Sequence, residues 1–198
     1  MQPYRYKMHH IKEGVTNMDE QVIIDACVRG ESWARKRVYE TYAPTMMSLC
    51  LRYVGDYETA RDLLQDGFYK VFTKIDAYSN KGAFAGWIHR IFVTTSLEYL
   101  RKTDALRSAA DIADYNEQLK DVDVSVLDRL SEDELMDCVQ KLPPGYRTVF
   151  NMFAIEGYTH SEIADTLGIS ITTSKTQFLR ARNALQKSVK RLIGKQNI

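Results

Sequence analysis

The sequence predicts an all-α protein in which two small helical domains are joined by a flexible acidic linker. Three observations support this fold class. Apolar residues recur at spacings of three and four, glycine and proline fall between these apolar runs, and the middle of the chain is strongly acidic. Hydrophobic residues make up 44% of the 198-residue chain and charged residues 27%, which is normal for a globular protein with a buried core.

Four helices are predicted in the first half of the chain, after a loose N-terminal extension at residues 1–18. We expect Asp19 to cap the first helix, Ser32 the second and Asp56 the third, because their side chains accept hydrogen bonds from backbone N–H groups. Pro44 lies within the second helix, where a kink or a break is expected. The fourth helix follows the turn-rich segment IDAYSNKGAF.

The third and fourth helices each carry an apolar stripe. In the third helix, the side chains at offsets of 0, 4, 7, 8 and 11 are Leu64, Phe68, Val71, Phe72 and Ile75. In the fourth, those at offsets of 0, 3, 4, 7 and 8 are Phe84, Trp87, Ile88, Ile91 and Phe92. Such stripes pack against other elements, and we assign Phe84 and Trp87 to the core. Residues 19–102 are therefore predicted to form one domain.

Charge is distributed unevenly, although the formal net charge is only +1. Residues 103–134 contain ten acids and three bases, whereas residues 171–195 contain seven bases and no acid. We interpret residues 103–131 as a linker of marginal structure. Residues 132–198 are predicted to form the second helical domain, with a helix restart at the pair Pro143 and Pro144.

The last part of the chain is typical of a helix-turn-helix motif. Thr159 and Glu162 have the spacing of a capping box, Gly168 is expected to end that helix, and Ser170 is expected to cap the next. The second helix is a candidate recognition helix for the DNA major groove; a solvated basic face that complements the acidic linker is the alternative. The candidate DNA-binding residues are Thr159, Thr172, Thr173, Lys175, Thr176, Leu179, Arg180 and Arg182.

No enzyme, cofactor, metal site or small-molecule substrate is indicated by the sequence. It contains no glycine-rich phosphate loop, and the adjacent His9 and His10 cannot share a helical face. The three cysteines, Cys27, Cys50 and Cys138, lack metal-ligand spacing and are expected to be buried free thiols. No apolar run has the length of a membrane span, so we predict a cytoplasmic protein.

Three segments share motifs with one family of proteins. TARDLLQDGFYKVF is similar to the pattern A-x-D-L-x-Q-x-x-F, and GAFAGWIHRIFVTTSLEYLRK is similar to F-x-x-W-L-x-x-I-x-x-N-x-x-x-D-Y-L-R. The third segment consists of LPPGYRTVFNMFAIEGYTHSEIADTLGIS followed by TSKTQFLRARNAL. Together, the three segments resemble those of bacterial sigma factors of the extracytoplasmic-function (ECF) group, and the resemblance covers about residues 19–193. The resemblance implies sigma region two at residues 19–102, which binds core polymerase and recognises and melts the minus-ten element, and region four at residues 132–198, which recognises the minus-thirty-five element.

The resemblance also implies the partners of the protein, namely core RNA polymerase and promoter DNA. In the family, the third helix docks on the clamp helices of the largest polymerase subunit, region four approaches the flap, and an anti-sigma factor commonly holds the free protein. The corresponding surface here is a polar face of the third helix that also carries an aromatic side chain. Its residues are Asp62, Gln65, Asp66 and Tyr69.

A pocket for an unstacked promoter base is a further implication of the resemblance. In the family it lies between the loop before the fourth helix and the middle of that helix. The corresponding residues are Tyr78, Ile91, Phe92 and Thr94, with Asn80 and Lys81 in the loop and Arg90, Arg101 and Lys102 as phosphate contacts. The family often has Asn where this chain has Thr94, and a polar or basic residue where it has Leu97 or Glu98.

Two other functions fit the same helical pattern. A stand-alone helix-turn-helix regulator with an N-terminal dimerisation or sensing domain would bind a palindromic duplex as a dimer. An adaptor built from two helical interaction modules would show no salt-dependent affinity for DNA. A sigma factor, in contrast, is expected to show little sequence-specific binding without polymerase.

Overall fold

The computed structural model describes residues 17–79, 82–103 and 132–196, and every regular element within these ranges is helical. The chain divides into two compact units at about residue 99. Of the described helices, the N-terminal unit contains the first three and most of the fourth, and the C-terminal unit contains the last four. The predicted all-α fold is thereby confirmed. The predicted linker at residues 103–131 lies, apart from Thr103, outside the described residues.

Within the described residues, the N-terminal unit contains four helices and a short 3₁₀ turn. The helices are α1 (Asn17–Val28), α2 (Ser32–Val54), α3 (Tyr57–Thr73) and α4 (Phe84–Lys102), and the turn is Ile75–Ala77. The predicted cap of α3 is confirmed, because the backbone N–H of Thr59 donates to the Asp56 carboxylate at 2.8 Å. This bond satisfies one of the N–H groups that a helix start leaves unpaired.

Two predicted helix starts in this unit are wrong. Helix α1 begins at Asn17, so Asp19 lies inside the helix instead of capping it. Helix α2 begins at Ser32 and its N-cap residue is Glu31, whose backbone carbonyl accepts from the N–H of Arg35 at 3.2 Å. The side chain of Glu31 makes no cap bond, because its carboxylate accepts instead from Arg29 and Trp33.

Helix α2 runs through Pro44 without a break. Proline lacks the N–H that would bond to the preceding turn, so this position weakens the helix locally. Tyr42 and Met46 are both buried on either side of it. Packing of these side chains in the core favours the helix despite the missing hydrogen bond. For this reason, α2 does not end at the proline.

The core of the N-terminal unit includes a close contact between α3 and α4. The ring of Phe68 on α3 lies edge-on to that of Phe92 on α4, with centroids 5.1 Å apart. Gly67 permits this approach, since a Cβ atom at its position would lie 2.3 Å from the Phe92 ring. The predicted apolar stripes are largely confirmed, with Phe84 and Ile88 also buried, whereas Trp87 is only half-buried.

Within the described residues, the C-terminal unit contains four helices and one turn of π-helix. The helices are α5 (Glu132–Gln140), α6 (Pro144–Phe150), α7 (His160–Leu167) and α8 (Ile171–Gln196), and the π-helical turn is Asn151–Ile155. Pro144 starts α6 as predicted. Leu142, Tyr146 and Ala181 form a buried cluster that joins the start of α6 to α8, with Leu185 packed against it.

The three cysteines are free and buried, as the sequence predicts. Burial raises the pKa of Cys50 to about 12, which keeps this thiol protonated and unreactive at neutral pH. No helix in the described part of the chain combines the length and the apolar character that a bilayer crossing demands.

Candidate nucleic-acid interface

The helix-turn-helix consists of α7, a turn of three residues and α8, and it has the predicted caps. The hydroxyl of Thr159 accepts from the Glu162 N–H at 3.2 Å, and the Glu162 carboxylate accepts from the Thr159 N–H at 2.7 Å. Gly168 ends α7 with a φ of 67°, a conformation that favours glycine. The hydroxyl of Ser170 accepts from the Thr173 N–H at 2.9 Å. Both helix ends at the turn are therefore fixed locally.

A side-chain contact between the first turn of α7 and α8 ties the two helices together. Nδ1 of His160 lies 2.9 Å from the hydroxyl of Ser174, which is fully buried. The imidazole is stacked on Phe153 with centroids 4.2 Å apart and an interplanar angle of 12°. Phe178 meets the same ring edge-on. This contact fixes the angle at which α8 leaves the turn.

The His160 contact predicts a pH dependence of stability. Burial, and then the nearby positive charge of Lys175, lower the pKa of His160 below its usual value. At a pH between the pKa of His160 in the folded protein and its pKa of about 6.5 in the unfolded chain, the unfolded chain binds more protons than the folded one. The contribution of His160 to stability is therefore fully present above about pH 6.5 and is lost as the pH falls towards the folded-state pKa. We expect the melting temperature of wild type to decline over this window by calorimetry.

His160→Gln tests this prediction, and His89→Gln is its control. The first variant removes the titrating ring from α7, and the second removes a histidine from α4. We expect a smaller decline of melting temperature below about pH 6.5 in His160→Gln only. An unchanged decline in His160→Gln would contradict the assignment.

The outer face of α8 is exposed over its first three turns. Thr172, Thr173, Lys175, Thr176, Leu179 and Arg182 are all exposed, and Leu179 keeps 54% of its surface accessible. The opposite face is buried through Ser174, Gln177 and Ala181. Six of the eight predicted DNA-binding residues thus lie on the solvent-exposed side of α8. Lys175 and Arg182 give this surface a positive charge, and α8 contains no acidic residue to offset it.

Some polar groups of the predicted set are already engaged within the protein. The hydroxyl of Thr159 donates to the Glu162 carboxylate at 2.8 Å, and that of Thr176 donates to the Thr172 carbonyl at 2.9 Å. Their protons are therefore used in local bonds. Arg180 is half-buried, and its guanidinium donates to the Tyr146 hydroxyl at 3.3 Å. The sequence did not predict this contact because its partners lie far apart in the chain.

The polar face of α3 presents all four of its predicted residues to solvent. Asp62, Gln65, Asp66 and Tyr69 are exposed and lie on one side of the helix, because positions 62, 66 and 69 and positions 62, 65 and 69 are each spaced by three or four residues. Tyr69 keeps 71% of its surface accessible. An exposed aromatic ring beside two exposed carboxylates does not contribute to the core of this unit, so the face is available for a partner.

On α4 the structure corrects one predicted member of the base pocket. Phe92 is fully buried, and its ring contacts Phe68 and closes over Gly67. A fully buried ring has no surface on which a base could stack, so we assign Phe92 to the core. Thr94 and Arg90 are exposed, Ile91 is half-buried, and Arg101 and Lys102 are exposed at the C-terminal end of α4.

Two positions at which the family often has polar residues also have structural roles here. Leu97 is buried in the core of the N-terminal unit. The carboxylate of Glu98 accepts from the ammonium group of Lys70 on α3 at 2.7 Å. This ion pair joins α3 to α4 and places a negative charge among the cationic side chains of α4.

Tyr78, in the segment before α4, forms an aromatic cluster with two rings from the first turn of α4. Its ring centroid lies 5.1 Å from that of Phe84 and 5.5 Å from that of Trp87. The hydroxyl donates to the Gly82 carbonyl at 2.6 Å, and burial and the negative charge of Glu20 raise the pKa of Tyr78. The half-buried Trp87 therefore extends the aromatic surface, although its helical spacing had assigned it to the core. Asn80 and Lys81 lie outside the described residues.

Metal binding finds no support among the side chains that the structure describes. Within those ranges no group of three or more His, Cys, Asp or Glu side chains is arranged to hold an ion. His9 and His10 lie outside the described residues.

Comparison with known proteins gives matches to both halves of the chain. The family model for sigma-70 region 2 matches residues 38–106, and that for sigma-70 region 4 matches residues 132–185. The ECF RNA polymerase sigma-E factor of Haemophilus influenzae is 25% identical over 186 residues, which cover 89% of this chain and 98% of the relative. The ECF RNA polymerase sigma factor SigW of Bacillus subtilis is 28% identical over 83% of this chain and 93% of its own length.

Among the solved structures that match this chain is sigma factor RpoE in complex with the anti-sigma factor NepR from Bartonella quintana. It has a TM-score of 0.46 and 21% sequence identity, and the match covers 78% of this chain and 96% of that chain.

Proposed function

Because the chain belongs to the sigma-70 family of RNA polymerase sigma factors, in its ECF group, we propose that α3 binds core polymerase and α8 reads the minus-thirty-five element. The protein directs core polymerase to promoters and initiates transcription. Sigma factors are DNA-binding initiation factors and not enzymes in the usual sense.

The assignment of DNA recognition to α8 rests on one observation: its exposed face is cationic and belongs to a helix-turn-helix whose helix ends are capped. Lys175, Thr176 and Leu179 are exposed on the first turns of α8, where a recognition helix enters the major groove. Long cationic side chains reach base edges and phosphates, and an aliphatic side chain contacts the methyl group of thymine. The exposed Arg182 lies further along the helix, in a position that suits a phosphate contact.

We assign recognition of the minus-ten element to the surface formed by α4 and the aromatic cluster at its start. Thr94 and the half-buried Ile91 and Tyr78 would contact an unstacked base, since aromatic and polar side chains hold such bases. Arg90, Arg101 and Lys102 would contact phosphates. Phe92 is not part of this proposal, because it is buried.

The predicted domains and remaining partners follow from family membership. We propose region two at residues 19–102, region four at residues 132–198 and a connecting segment at residues 103–131. Region four would approach the polymerase flap, and an anti-sigma factor would hold the free protein. We also propose a cytoplasmic location, because core polymerase and promoter DNA are found there.

The assignment of α8 predicts the effect of Lys175→Ala. If Lys175 reads a base, the variant loses about 1–3 kcal/mol of promoter binding and relaxes the preference at one position of the minus-thirty-five element. The measurement is selection from a promoter library, randomised through that element, by polymerase reconstituted with each variant. Lys190→Ala, also exposed on α8, is the matched control. A uniform loss on all sequences would instead make Lys175 a phosphate contact.

A further inference from the structure

We infer that Tyr146 is a positioning residue for promoter recognition, because its hydroxyl fixes the guanidinium of Arg180 on the recognition helix. This inference rests on the proposed function of α8. It adds a residue outside the helix-turn-helix to the machinery that selects the minus-thirty-five element.

The contact joins a rigid group to a long side chain. Tyr146 lies on α6 and is 1% exposed, within the buried cluster that includes Leu142 and Ala181. Its hydroxyl oxygen accepts from a terminal N–H of Arg180 at 3.3 Å. Because the tyrosine ring is enclosed by core side chains, its hydroxyl has a fixed position. The bond therefore restricts a side chain that otherwise has several rotatable bonds.

The geometry leaves Arg180 able to bind DNA. A guanidinium has five N–H donors in a planar fork, and the tyrosine hydroxyl uses only one of them. Arg180 is half-buried, so part of its surface remains accessible beside the exposed Thr176 and Leu179. An arginine held in one orientation loses less conformational entropy on binding, and its remaining donors approach a base or phosphate at a defined angle.

Packing of the ring does not explain why position 146 has a tyrosine and not a phenylalanine. A phenylalanine would fill the same cluster volume, whereas a buried hydroxyl needs a partner to offset its desolvation. The hydroxyl bonds to the recognition helix, at a residue one turn beyond Thr176. We therefore assign it to the orientation of Arg180 and not only to packing.

The test is a double-mutant cycle of Tyr146→Phe and Arg180→Ala in the full chain. Core RNA polymerase reconstituted with each variant selects from a promoter DNA library that is randomised through the minus-thirty-five element. We expect Tyr146→Phe to keep the melting temperature near that of wild type and to weaken the preference at one position by about two- to tenfold, as expected for one hydrogen bond. The same substitution is expected to change nothing in the Arg180→Ala background.

The contradicting outcomes are distinguishable from one another. If Arg180→Ala changes the preference and Tyr146→Phe does not, the positioning role is overturned and the function of α8 stands. If Tyr146→Phe has an equal effect in both backgrounds, it acts without Arg180 and the inference is also overturned. If neither Arg180→Ala nor Lys175→Ala changes any preference, both the inference and the proposed reading by α8 are wrong.

Discussion

The double variant Asp62→Arg, Asp66→Arg is expected to lose its binding to core RNA polymerase while its helices remain intact. Both carboxylates are exposed on one side of α3, beside the exposed ring of Tyr69. Reversing two charges in one interface replaces attraction by repulsion, and like-charge contacts across an interface cost several kcal/mol. We propose this face as the polymerase contact, so the expected loss of affinity is large.

Co-purification with bacterial core polymerase measures this effect, and circular dichroism checks that the variant is folded. Asp25→Arg combined with Glu40→Arg is the charge-matched control, since these exposed acids lie on α1 and α2 and produce the same change in net charge. The control is expected to co-purify as wild type does. Equal recovery of the α3 variant and wild type would show that polymerase binds elsewhere.

Gly67→Ala is expected to destabilise the N-terminal unit, although alanine favours helices. The substitution gains roughly 1 kcal/mol in helix propensity. The new Cβ atom would lie 2.3 Å from the ring of Phe92, which is fully buried and therefore cannot turn aside without disturbing the core. Overpacking of this kind costs about 1–3 kcal/mol and occasionally more, so we expect the clash to outweigh the propensity.

Tryptophan fluorescence during urea unfolding measures this prediction, because both tryptophans, Trp33 and Trp87, lie in the N-terminal unit. Gly86→Ala on α4 is the matched control, since a Cβ atom at that position meets open space. We expect the control to be as stable as wild type or more so, and Phe92→Leu to recover part of the loss in Gly67→Ala. A stabilised Gly67→Ala variant would contradict the close approach of α3 and α4.

The helix caps could be predicted from the sequence because the two residues that form each cap are only three residues apart in the chain. The caps at Asp56 and Ser170 and the capping box of Thr159 and Glu162 are of this kind. Gly168 was predictable because few other residues adopt the positive φ that ends α7. Asp19 failed as a cap because several positions before a helix satisfy the same pattern, and only the backbone decides among them.

Features that depend on contacts between helices could not be predicted. The spacing of Phe92 placed it on the apolar stripe of α4 and the resemblance placed it in a base pocket, but only the ring of Phe68 and the position of Gly67 show that it is enclosed. The bonds from Arg180 to Tyr146 and from His160 to Ser174 also join different helices. Spacing within one helix contains no information on such partners.

The central claim is tested most directly by transcription from a promoter library with core RNA polymerase, with and without this protein. We expect transcripts to start at discrete positions downstream of DNA with a shared pair of elements only when the protein is present. The absence of promoter-specific transcripts, together with a stable dimer that binds palindromic duplex DNA without polymerase, would contradict the account and favour a stand-alone regulator.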